Sequence, residues 1–291
     1  MTDIQFNGPI VGIVLRDLVR RGILIGRKHR GIFEATGKES YGGDKEDFFT
    51  NADTEAQEMY VRLLQECFPD FGIIGEEDEL VIEGKYGLDA YFTIDPIDGT
   101  KAYIRRQSHG IGSMIAMVVN GEVISAYIGD MSTGEIFGYR PGSKSVWRLD
   151  ITSEYREKLL PTPTDIPISK RYVQLRNREK DYSELAQSTI RFFENITVDG
   201  GSIGTWAARL WKNEVAALIL PPSFETPWDS TPVVGISQKL GYAFLKDCGN
   251  GYWEIIDIKP LTKKYKRDHD LLIIHRGLIP SLSKRVKIYL D

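Results

Sequence analysis

The stretch Tyr91-Phe92-Thr93-Ile94-Asp95-Pro96-Ile97-Asp98-Gly99-Thr100 is the most informative part of this 291-residue chain. Its apolar beginning predicts a strand that runs into Asp95. Pro96 has the backbone angle φ that the second position of a β-turn requires, so we expect a turn that brings the α-carbons of Asp95 and Asp98 within ~7 Å. Two carboxylates this close repel each other unless one is protonated or a cation lies between them.

This acidic turn offers the ligands of a magnesium site. Carboxylate oxygens and a backbone carbonyl, here that of Ile97, are the donors that Mg²⁺ prefers. Gly99 lets a ligand approach the backbone closely, and the N–H groups of Gly99 and Thr100 are expected to open a helix whose N-terminus attracts phosphate. The alternative for an isolated D-P-x-D segment is a turn that Asp95 caps with its own side chain, without a metal.

Two further acidic motifs lie on either side of this turn in the chain, Gly75-Glu76-Glu77 and Trp228-Asp229-Ser230. With DPIDGT at 95–100 they occur in the order found in the inositol monophosphatase superfamily, which the sequence resembles from about residue 50 to residue 241. The members are Mg²⁺-dependent, lithium-sensitive phosphatases. The resemblance implies an α/β (α+β) fold, a layered αβαβα sandwich of two sheet-and-helix domains, and commonly a homodimer.

The resemblance also implies metal ligands. Glu76 corresponds to a ligand of the first ion that also contacts the attacking water, and Asp95 to a carboxylate that bridges two ions. Ile97 offers its carbonyl oxygen, and Asp98 and Asp229 complete the second metal site. Two or three Mg²⁺ ions per site are expected.

The remaining site residues follow from the same resemblance. Asp53 and Thr100 correspond to the pair that orients and deprotonates the water, so they form the expected catalytic set together with Glu76. Gly99 and Thr100 are expected to bind the phosphate. The segment 201–205 matches the family's loop near the substrate, so Gly204 and Thr205 are expected to bind substrate.

Each acidic residue also has a purely structural explanation. Asp53 follows Thr50 in a T-x-x-D pattern, which is typical of a capped helix start. Glu76 belongs to a run of acids that is ordinarily a solvated surface. Asp229 stands where an N-cap would precede a helix from Ser230. Capping and metal binding are compatible, because a capping aspartate can still direct one oxygen at a metal.

Charge arithmetic supports the metals independently. The five acidic side chains would place −5 in one pocket, and a phosphate monoester adds about −2; they are Asp53, Glu76, Asp95, Asp98 and Asp229. No basic cluster near these motifs in the sequence offsets this charge. Two or three Mg²⁺ ions would supply +4 to +6, which nearly neutralises the pocket.

Composition indicates a globular protein and limits its partners. The chain has 37 Lys and Arg against 41 Asp and Glu, a net charge of −4, which argues against nucleic acid as a partner. No segment approaches the ~20 apolar residues of a membrane span, and the first residues lack the basic region of a secretory signal. Cys67 and Cys248 are expected to be buried thiols rather than a disulfide. We therefore expect a cytoplasmic protein with no membrane partner.

Hydrophobic periodicity predicts mixed helices and strands in both halves of the chain. The predicted helices are Ile10–Phe33, a segment from Asp53 that Pro69 and Gly72 stop, Tyr182–Glu194, Thr205–Lys212, Ser230–Leu240 capped by Gly241, and a closing helix near Pro280–Leu290. The predicted strands are Gly72–Gly75, Tyr91–Ile94, Gly112–Val119, Val123–Ile128, Ile136–Tyr139, Arg171–Leu175, Val215–Leu220, Tyr242–Leu245, Tyr252–Ile256 and Leu271–Ile274. Asn120-Gly121 predicts a hairpin, and Gly37–Asp47 is expected to be a loop.

The length favours two domains. A polar segment with three prolines lies between Asp150 and Lys170, and we place the boundary there. The expected division is a metal-binding α+β domain at 1–155 and an α/β domain at 156–291, which completes the site with Asp229.

Several conspicuous residues carry less information. The four histidines show no shared metal-ligand spacing and are expected at the surface or in packing. Trp206, Trp211 and Trp228 are expected in the core. The basic run Lys263–Arg267 is expected to be a solvated face, with contact to a second phosphate of a larger substrate as the alternative.

The substrate is less well defined than the chemistry. Inositol-selective members usually carry Glu seven positions before the aspartate of the WD motif, and that position here is Pro222. Lys101 after the hexamer is more similar to the 3′-phosphoadenosine-5′-phosphate nucleotidase and histidinol-phosphate phosphatase branches. Glu225 is a candidate for supplying the missing acceptor from three positions later.

The expected function is a Mg²⁺-dependent phosphomonoesterase acting on a small phosphorylated metabolite by in-line attack of a metal-activated water. The alternatives are a 3′(2′),5′-bisphosphate nucleotidase or histidinol-phosphate phosphatase, a two-metal nuclease, and a catalytically silent regulatory homologue. The net charge of −4 argues against the nuclease. A silent homologue would be indicated by a lost ligand, and every expected acidic position is filled.

Overall fold

The computed structural model describes residues 4–289 except 33, 39–46 and 154. The helices of these residues are α1 (Gly8–His29), α2 (Asn51–Cys67), α3 (Thr100–Ile104), α4 (Glu184–Ile190), α5 (Ile203–Trp211), α6 (Pro227–Lys239) and α7 (Ile279–Leu282). The strands are β1 (Ala35–Lys38), β2 (Asp47–Thr50), β3 (Gly72–Gly75), β4 (Val81–Ile82), β5 (Ala90–Asp98), β6 (Gly112–Val119), β7 (Glu122–Asp130), β8 (Glu135–Tyr139), β9 (Trp147–Asp150), β10 (Arg156–Lys158), β11 (Tyr172–Leu175), β12 (Asn195–Val198), β13 (Ala217–Leu220), β14 (Ser223–Glu225), β15 (Tyr242–Asp247), β16 (Tyr252–Ile256), β17 (Tyr265–Arg267), β18 (Leu271–His275) and β19 (Lys287–Tyr289).

Two large sheets organise the chain. The first has eight strands in the order β10-β9-β8-β7-β6-β5-β3-β4, and the second has seven in the order β12-β11-β13-β18-β15-β16-β19. In the first sheet β3 and β5 run parallel, and the other neighbours pair antiparallel. The remaining strands form the small pairs β1-β2 and β14-β17.

Three buried cores separate five layers of structure. The first core joins α1 and α2 to one face of the first sheet. The second lies between the two sheets and contains side chains of α5 and α6. The third joins α4 and α7 to the far face of the second sheet. Because side chains alternate along a strand, Ile115 of β6 enters the first core and its neighbour Met114 enters the second. This order of layers is the expected αβαβα sandwich.

The start of α2 shows how local sequence sets an element that later carries the site. Thr50 is the N-cap, and its hydroxyl accepts from the N–H of Ala52 at 3.2 Å. The Asp53 carboxylate in turn accepts from the Thr50 N–H at 2.8 Å, which completes the capping box that T-x-x-D predicts. The cap therefore holds the Asp53 carboxylate in a fixed and buried position, 2% exposed.

Some predicted elements are wrong, for identifiable reasons. The predicted loop Gly37–Asp47 overlaps the ends of the β1-β2 pair, although residues 39–46 lie outside the described part of the chain. The closing helix has only the four residues of α7, and β19 follows it in parallel pairing with β16. The alternation of buried Val286 and half-buried Ile288 around Lys287 has the period of a strand.

Boundaries also differ from the prediction at α4 and α6. The predicted helix Tyr182–Glu194 shortens to α4, since Ser183 caps its start and the chain re-enters the second sheet as β12. The helix predicted from Ser230 begins three residues earlier, at Pro227. The division at 155 stays a prediction, and the last strand of the first sheet, β10, lies just after it.

The two cysteines are free thiols. Cys67 is exposed and Cys248 is half-buried, so the expected burial of Cys67 is wrong. Among the described residues, no helix has the length and apolarity needed to cross a membrane.

Candidate metal centre

Glu76 and Asp95 are brought together by parallel strands. In the register of β3 and β5, Gly75 lies opposite Ile94. The next residues, Glu76 after β3 and Asp95 within β5, therefore lie at the same end of these two strands. Asp95 is 1% exposed, whereas Glu76 is half-buried. Strand register thus brings two carboxylates predicted from separate motifs to the same end of the sheet.

The segment from Asp95 to Asp98 is a bulge within β5, so the predicted β-turn is wrong. Asp95 pairs with Met114 and Asp98 pairs with Gly112, which leaves one extra residue on the β5 side. Pro96 has no N–H to donate, and a bulge tolerates its absence from the ladder. The Asp95 Oδ1 atom accepts from the Ile97 N–H at 3.1 Å, so the local turn that was the metal-free alternative is present beside the acidic cluster.

Asp229 reaches the cluster from the first turn of α6. Thr226 is the N-cap, and its Oγ1 accepts from the Asp229 N–H at 3.3 Å, while Pro227 occupies the first helical position. Asp229 is therefore not the N-cap that was expected, and its carboxylate is free of the capping role. Oxygen atoms of Asp95, Asp98 and Asp229 all lie within 4.8 Å of one another.

This convergence has a large electrostatic cost without a cation. Burial raises the pKa of Asp95 well above its ordinary value, and the charges of Glu76, Asp98 and Asp229 raise it further. Burial and the charges of Asp98 and Glu76 raise the pKa of Asp229 to about 8. The two effects have the same sign because low polarity and negative neighbours both disfavour an ionised carboxylate.

Asp98 is held by a residue that the sequence analysis did not select. Ser202 Oγ and the Gly204 N–H at 3.1 Å both donate to Asp98 Oδ2. Burial raises the pKa of Asp98, while these two bonds and the charge of Arg176 lower it. Ser202 is also the N-cap of α5, where its Oγ accepts from the Thr205 N–H at 3.0 Å. The S-x-x-T pattern before a helix was the available signal for this cap.

Gly204 and Thr205 lie behind Asp98 rather than in the wall of the acidic cavity. The Gly204 N–H is used by Asp98, and the Thr205 N–H by Ser202. Both residues are buried. Their expected contact with substrate stays a prediction, and the structure gives them a place in positioning a carboxylate.

Asp53 and Thr100 form the pair that the family resemblance implies. Thr100 Oγ1 lies 3.4 Å from Asp53 Oδ1 and 3.3 Å from the Ile97 carbonyl oxygen, so its single proton is shared between two acceptors. The other carboxylate oxygen, Asp53 Oδ2, accepts from Thr50 Oγ1 at 2.5 Å. A fixed aspartate next to a weakly bonded hydroxyl is suited to receiving a proton.

The Gly75-Glu76-Glu77 motif is clamped by α2. Gln57 donates from Nε2 to the Glu77 carbonyl at 3.0 Å and accepts at Oε1 from the Glu77 N–H at 3.0 Å. The next two residues, Asp78 and Glu79, have φ of 55° and 48°, a sharp left-handed turn that directs the chain away from the cluster. The clamp therefore fixes the backbone on which Glu76 stands.

Gly99 allows three backbone segments to meet at the site. Its φ is +90°, and a Cβ there would lie 2.7 Å from the Ser202 nitrogen. The Ser202 N–H donates to the Gly110 carbonyl at 2.8 Å, which ties the start of α5 to the loop after α3. Only glycine permits this approach at such an angle.

The acidic cluster opens into a cavity of about 440 Å³. Glu76, Asp95, Asp98 and Asp229 line it together with the expected phosphate residues Gly99 and Thr100. Basic side chains line it as well: Lys101, Arg105, His109 and Arg176. The expectation that no basic cluster accompanies the acidic motifs is therefore wrong. Arg176 is some 75 residues from the hexamer in sequence, and strand β11 delivers it.

The donor set fits Mg²⁺. Four carboxylates and the Ile97 carbonyl supply only oxygen, and opposite ligands of one Mg²⁺ ion are about 4 Å apart, close to the spacing of the three aspartates. A divalent cation would also remove the repulsion that raises their pKa values. These residues are therefore able to hold the metal.

The remaining candidate residues have structural roles. Glu225 accepts from Arg267 Nε at 2.6 Å, so it is engaged in an ion pair. Lys264 forms an ion pair with Glu79 at 2.5 Å. The basic run Lys263–Arg267 is therefore not a wholly solvated face, because two of its side chains pair with acidic residues of the chain. All three tryptophans are buried as expected, and Trp228 also borders the acidic cavity.

The sequence pattern of the Inositol monophosphatase family matches residues 11–245. The chain belongs to the inositol monophosphatase family. Among curated relatives, Nus factor SuhB of Xylella fastidiosa is 37% identical over 100 residues, 34% of this chain and 34% of that protein. Histidinol-phosphatase of Chlorobaculum parvum is 26% identical over 212 residues, 66% of this chain and 70% of that protein.

The fold of this family member is confirmed by solved structures. A structure of an IMPase/NADP phosphatase complexed with Mg²⁺ and phosphate has a TM-score of 0.71 at 15% identity, over 96% of this chain and 95% of that one. The matches span only about a third of the first curated relatives, 34% and 35% of their lengths. Since several relatives are named Nus factor SuhB, the expected absence of a nucleic-acid partner has no support.

Proposed function

We propose that this family member hydrolyses a small phosphomonoester with Mg²⁺ as cofactor. The observation that carries the proposal is the convergence of three buried aspartate oxygens within 4.8 Å, beside the fixed Asp53–Thr100 pair. Glu76, Asp95, the Ile97 carbonyl, Asp98 and Asp229 would hold two or three ions. When bound, Mg²⁺ lowers the pKa of water and neutralises phosphate charge.

The protein's own groups would position the water. Thr100 Oγ1 has lone pairs free to accept from a water, while its proton points toward Asp53 and Ile97. In the proposed step the water oxygen bonds to phosphorus, and the bond from phosphorus to the ester oxygen breaks. A proton of the water passes by way of Thr100 to Asp53, and the ester oxygen leaves as an alcohol after protonation by solvent.

The basic side chains in the cavity wall would orient the substrate. The phosphate brings about two negative charges into a cavity that already holds four carboxylates. Lys101, Arg105 and Arg176 add positive charge to the wall of the same cavity. We infer that these basic side chains attract the anionic phosphate, while the carboxylates bind the metal.

The relative named histidinol-phosphatase supports one specific alternative for the substrate, because its match covers 70% of that protein. A bisphosphate nucleotidase is the other alternative within the superfamily. A silent regulatory homologue is less well supported, since the residues that would hold metal and activate water are all in place.

A phosphate-release screen tests the proposal. The purified protein is incubated with inositol-1-phosphate, histidinol phosphate, fructose-1,6-bisphosphate and 3′-phosphoadenosine-5′-phosphate, with Mg²⁺ or with excess EDTA. Release with Mg²⁺ alone supports the proposal. Undiminished release in EDTA, or none from any ester, would overturn the metal mechanism. The resemblance further suggests a homodimer, which the molar mass in solution tests.

A further inference from the structure

A second cavity adjoins the acidic one. It has a volume of about 300 Å³ and shares with the acidic cavity the wall residues Arg176, Phe224 and Asp229. It extends between α6 and the second sheet, where its lining is mainly apolar. The side chains that form this lining include Ile203, Val233, Phe244, Leu271 and Ile273. The apolar chamber therefore adjoins the acidic cluster at Asp229.

Most polar groups at the rim of this chamber are already engaged. Glu225 and Arg267 form an ion pair, and Arg267 also donates to the Pro221 carbonyl at 2.9 Å. Ser230 Oγ donates to the Thr226 carbonyl at 2.7 Å. The position that carries an acceptor in inositol-selective members is Pro222, which also lines the chamber. A polyol entering it would lose water without regaining partners for its hydroxyls, which disfavours binding.

One buried polar atom at the junction is unsatisfied. Arg176 Nη1 has no hydrogen-bond partner among the described residues. The guanidinium lies near Asp98, whose pKa its charge lowers, and it borders both cavities. Arg176 therefore brings a positive charge to the wall that the two cavities share, where a phosphate ester with its alcohol group in the chamber would lie.

We propose that the apolar chamber is the leaving-group subsite, and that the substrate is a phosphomonoester whose alcohol carries an aromatic or similarly apolar ring. This inference rests on the proposed phosphatase function and specifies its substrate class. A chamber of about 300 Å³ is at the lower end of small-molecule sites and suits one ring system. Phe224 at the entrance offers a face for the ring, and Arg176 a donor for the ester oxygen.

Three alkyl esters test the inference without any mutation. 2-Phenylethyl phosphate, ethyl phosphate and inositol-1-phosphate all release an alkyl alcohol, so differences in kcat/KM report mainly recognition. Burial of the ring is expected to favour the phenylethyl ester over ethyl phosphate by about 10- to 100-fold. Equal kcat/KM for these two, or a preference for inositol-1-phosphate, would overturn the inference. No release from any of the three would overturn this inference, while the phosphatase function itself would be refuted only if the four esters of the screen above were also left intact.

A filled chamber provides the matched variant. Ile258 is half-buried and lines the chamber, so Ile258→Trp should occupy it. Ile255→Trp is the control, since Ile255 is also half-buried but packs on the opposite side of the second sheet. Ile258→Trp is expected to lower kcat/KM for 2-phenylethyl phosphate far more than for ethyl phosphate, and so to remove most of the phenylethyl preference, whereas Ile255→Trp should keep that preference. Should that variant misfold, Ile258→Phe serves instead, and an unchanged preference in a folded variant would contradict the assignment.

Discussion

Replacing Ser202 by alanine removes one hydroxyl with two separate duties. Its Oγ donates to Asp98 and accepts from the Thr205 N–H as the N-cap of α5. Loss of an N-cap costs about 1 kcal/mol, and loss of a hydrogen bond to a charged group about 1.5–3 kcal/mol. With Mg²⁺ bound, when Asp98 is ionised, Ser202→Ala should therefore lower the free energy of unfolding by about 2.5–4 kcal/mol.

Asn7→Ala is the control for loss of a cap alone. Asn7 is the N-cap of α1, where its Oδ1 accepts from the Ile10 N–H at 3.1 Å, and it does not line the acidic cavity. Its loss should cost only the cap, about 1 kcal/mol. Urea unfolding of both variants with saturating Mg²⁺ measures the difference.

Mg²⁺ binding separates the two duties further. The Ser202 bond orients a carboxylate that is expected to bind metal, and losing such support typically weakens metal affinity 10- to 100-fold. We expect Ser202→Ala to raise the Mg²⁺ concentration needed for half-maximal phosphate release by about tenfold, and Asn7→Ala to leave it unchanged. Equal stability losses and equal Mg²⁺ requirements in the two variants would refute the role assigned to Ser202.

Three other predictions follow from the acidic cluster. Asp95→Asn should reduce turnover and Mg²⁺ affinity more than Asp53→Asn does, because Asp95 is at the centre of the cluster; near-normal rate and affinity in Asp95→Asn would refute its bridging role. Since the pKa of Asp229 is raised to about 8, its contribution to the stability of the metal-free protein should be fully present below about pH 4 and should be lost as the pH rises toward 8. Urea unfolding in EDTA measures this loss of stability with pH. The loss should be smaller in Asp229→Asn, and an equal loss in that variant would contradict the prediction. Ca²⁺ should support hydrolysis poorly, because its coordination is larger and looser; equal rates with Ca²⁺ and Mg²⁺ would contradict this.

The positions of most of the acidic residues follow from local sequence patterns. Parallel pairing of the strands before Glu76 and Asp95 puts both acids at one sheet edge, and the T-x-x-D pattern specifies the cap that holds Asp53. The family pattern added Asp229, which lies more than a hundred residues later. These residues share a site because each stands at the end of a strand or the start of a helix.

Residues that reach the site through contacts between distant parts of the chain could not be predicted from sequence. Ser202 reaches Asp98 across 104 residues, and Arg176 enters the cavity from a strand of the second sheet. Neither has a local pattern that indicates its partner. The bulge at Pro96 was mistaken for a turn because the same residues suit both, and only the pairing with β6 distinguishes them.

The short strands in the second half of the chain were the least predictable elements of the fold. The strands β12, β14, β17 and β19 have three or four residues each, too few for periodicity to distinguish a strand from a loop. Their pairing depends on neighbours far along the chain. The Glu225–Arg267 ion pair, which limits where a polyol could bind, belongs to one of these short pairs.

The central claim is that Asp95, Asp98 and Asp229 hold Mg²⁺ for phosphate ester hydrolysis. Its most direct test is a calorimetric titration of the metal-free protein with Mg²⁺ in the presence of inorganic phosphate, repeated for Asp95→Asn. We expect saturable binding of at least two ions per chain, with protons released near pH 7 because the pKa of Asp229 lies at about 8. Asp95→Asn should lose at least one ion. The absence of saturable binding, or identical titrations for the two proteins, would contradict the claim.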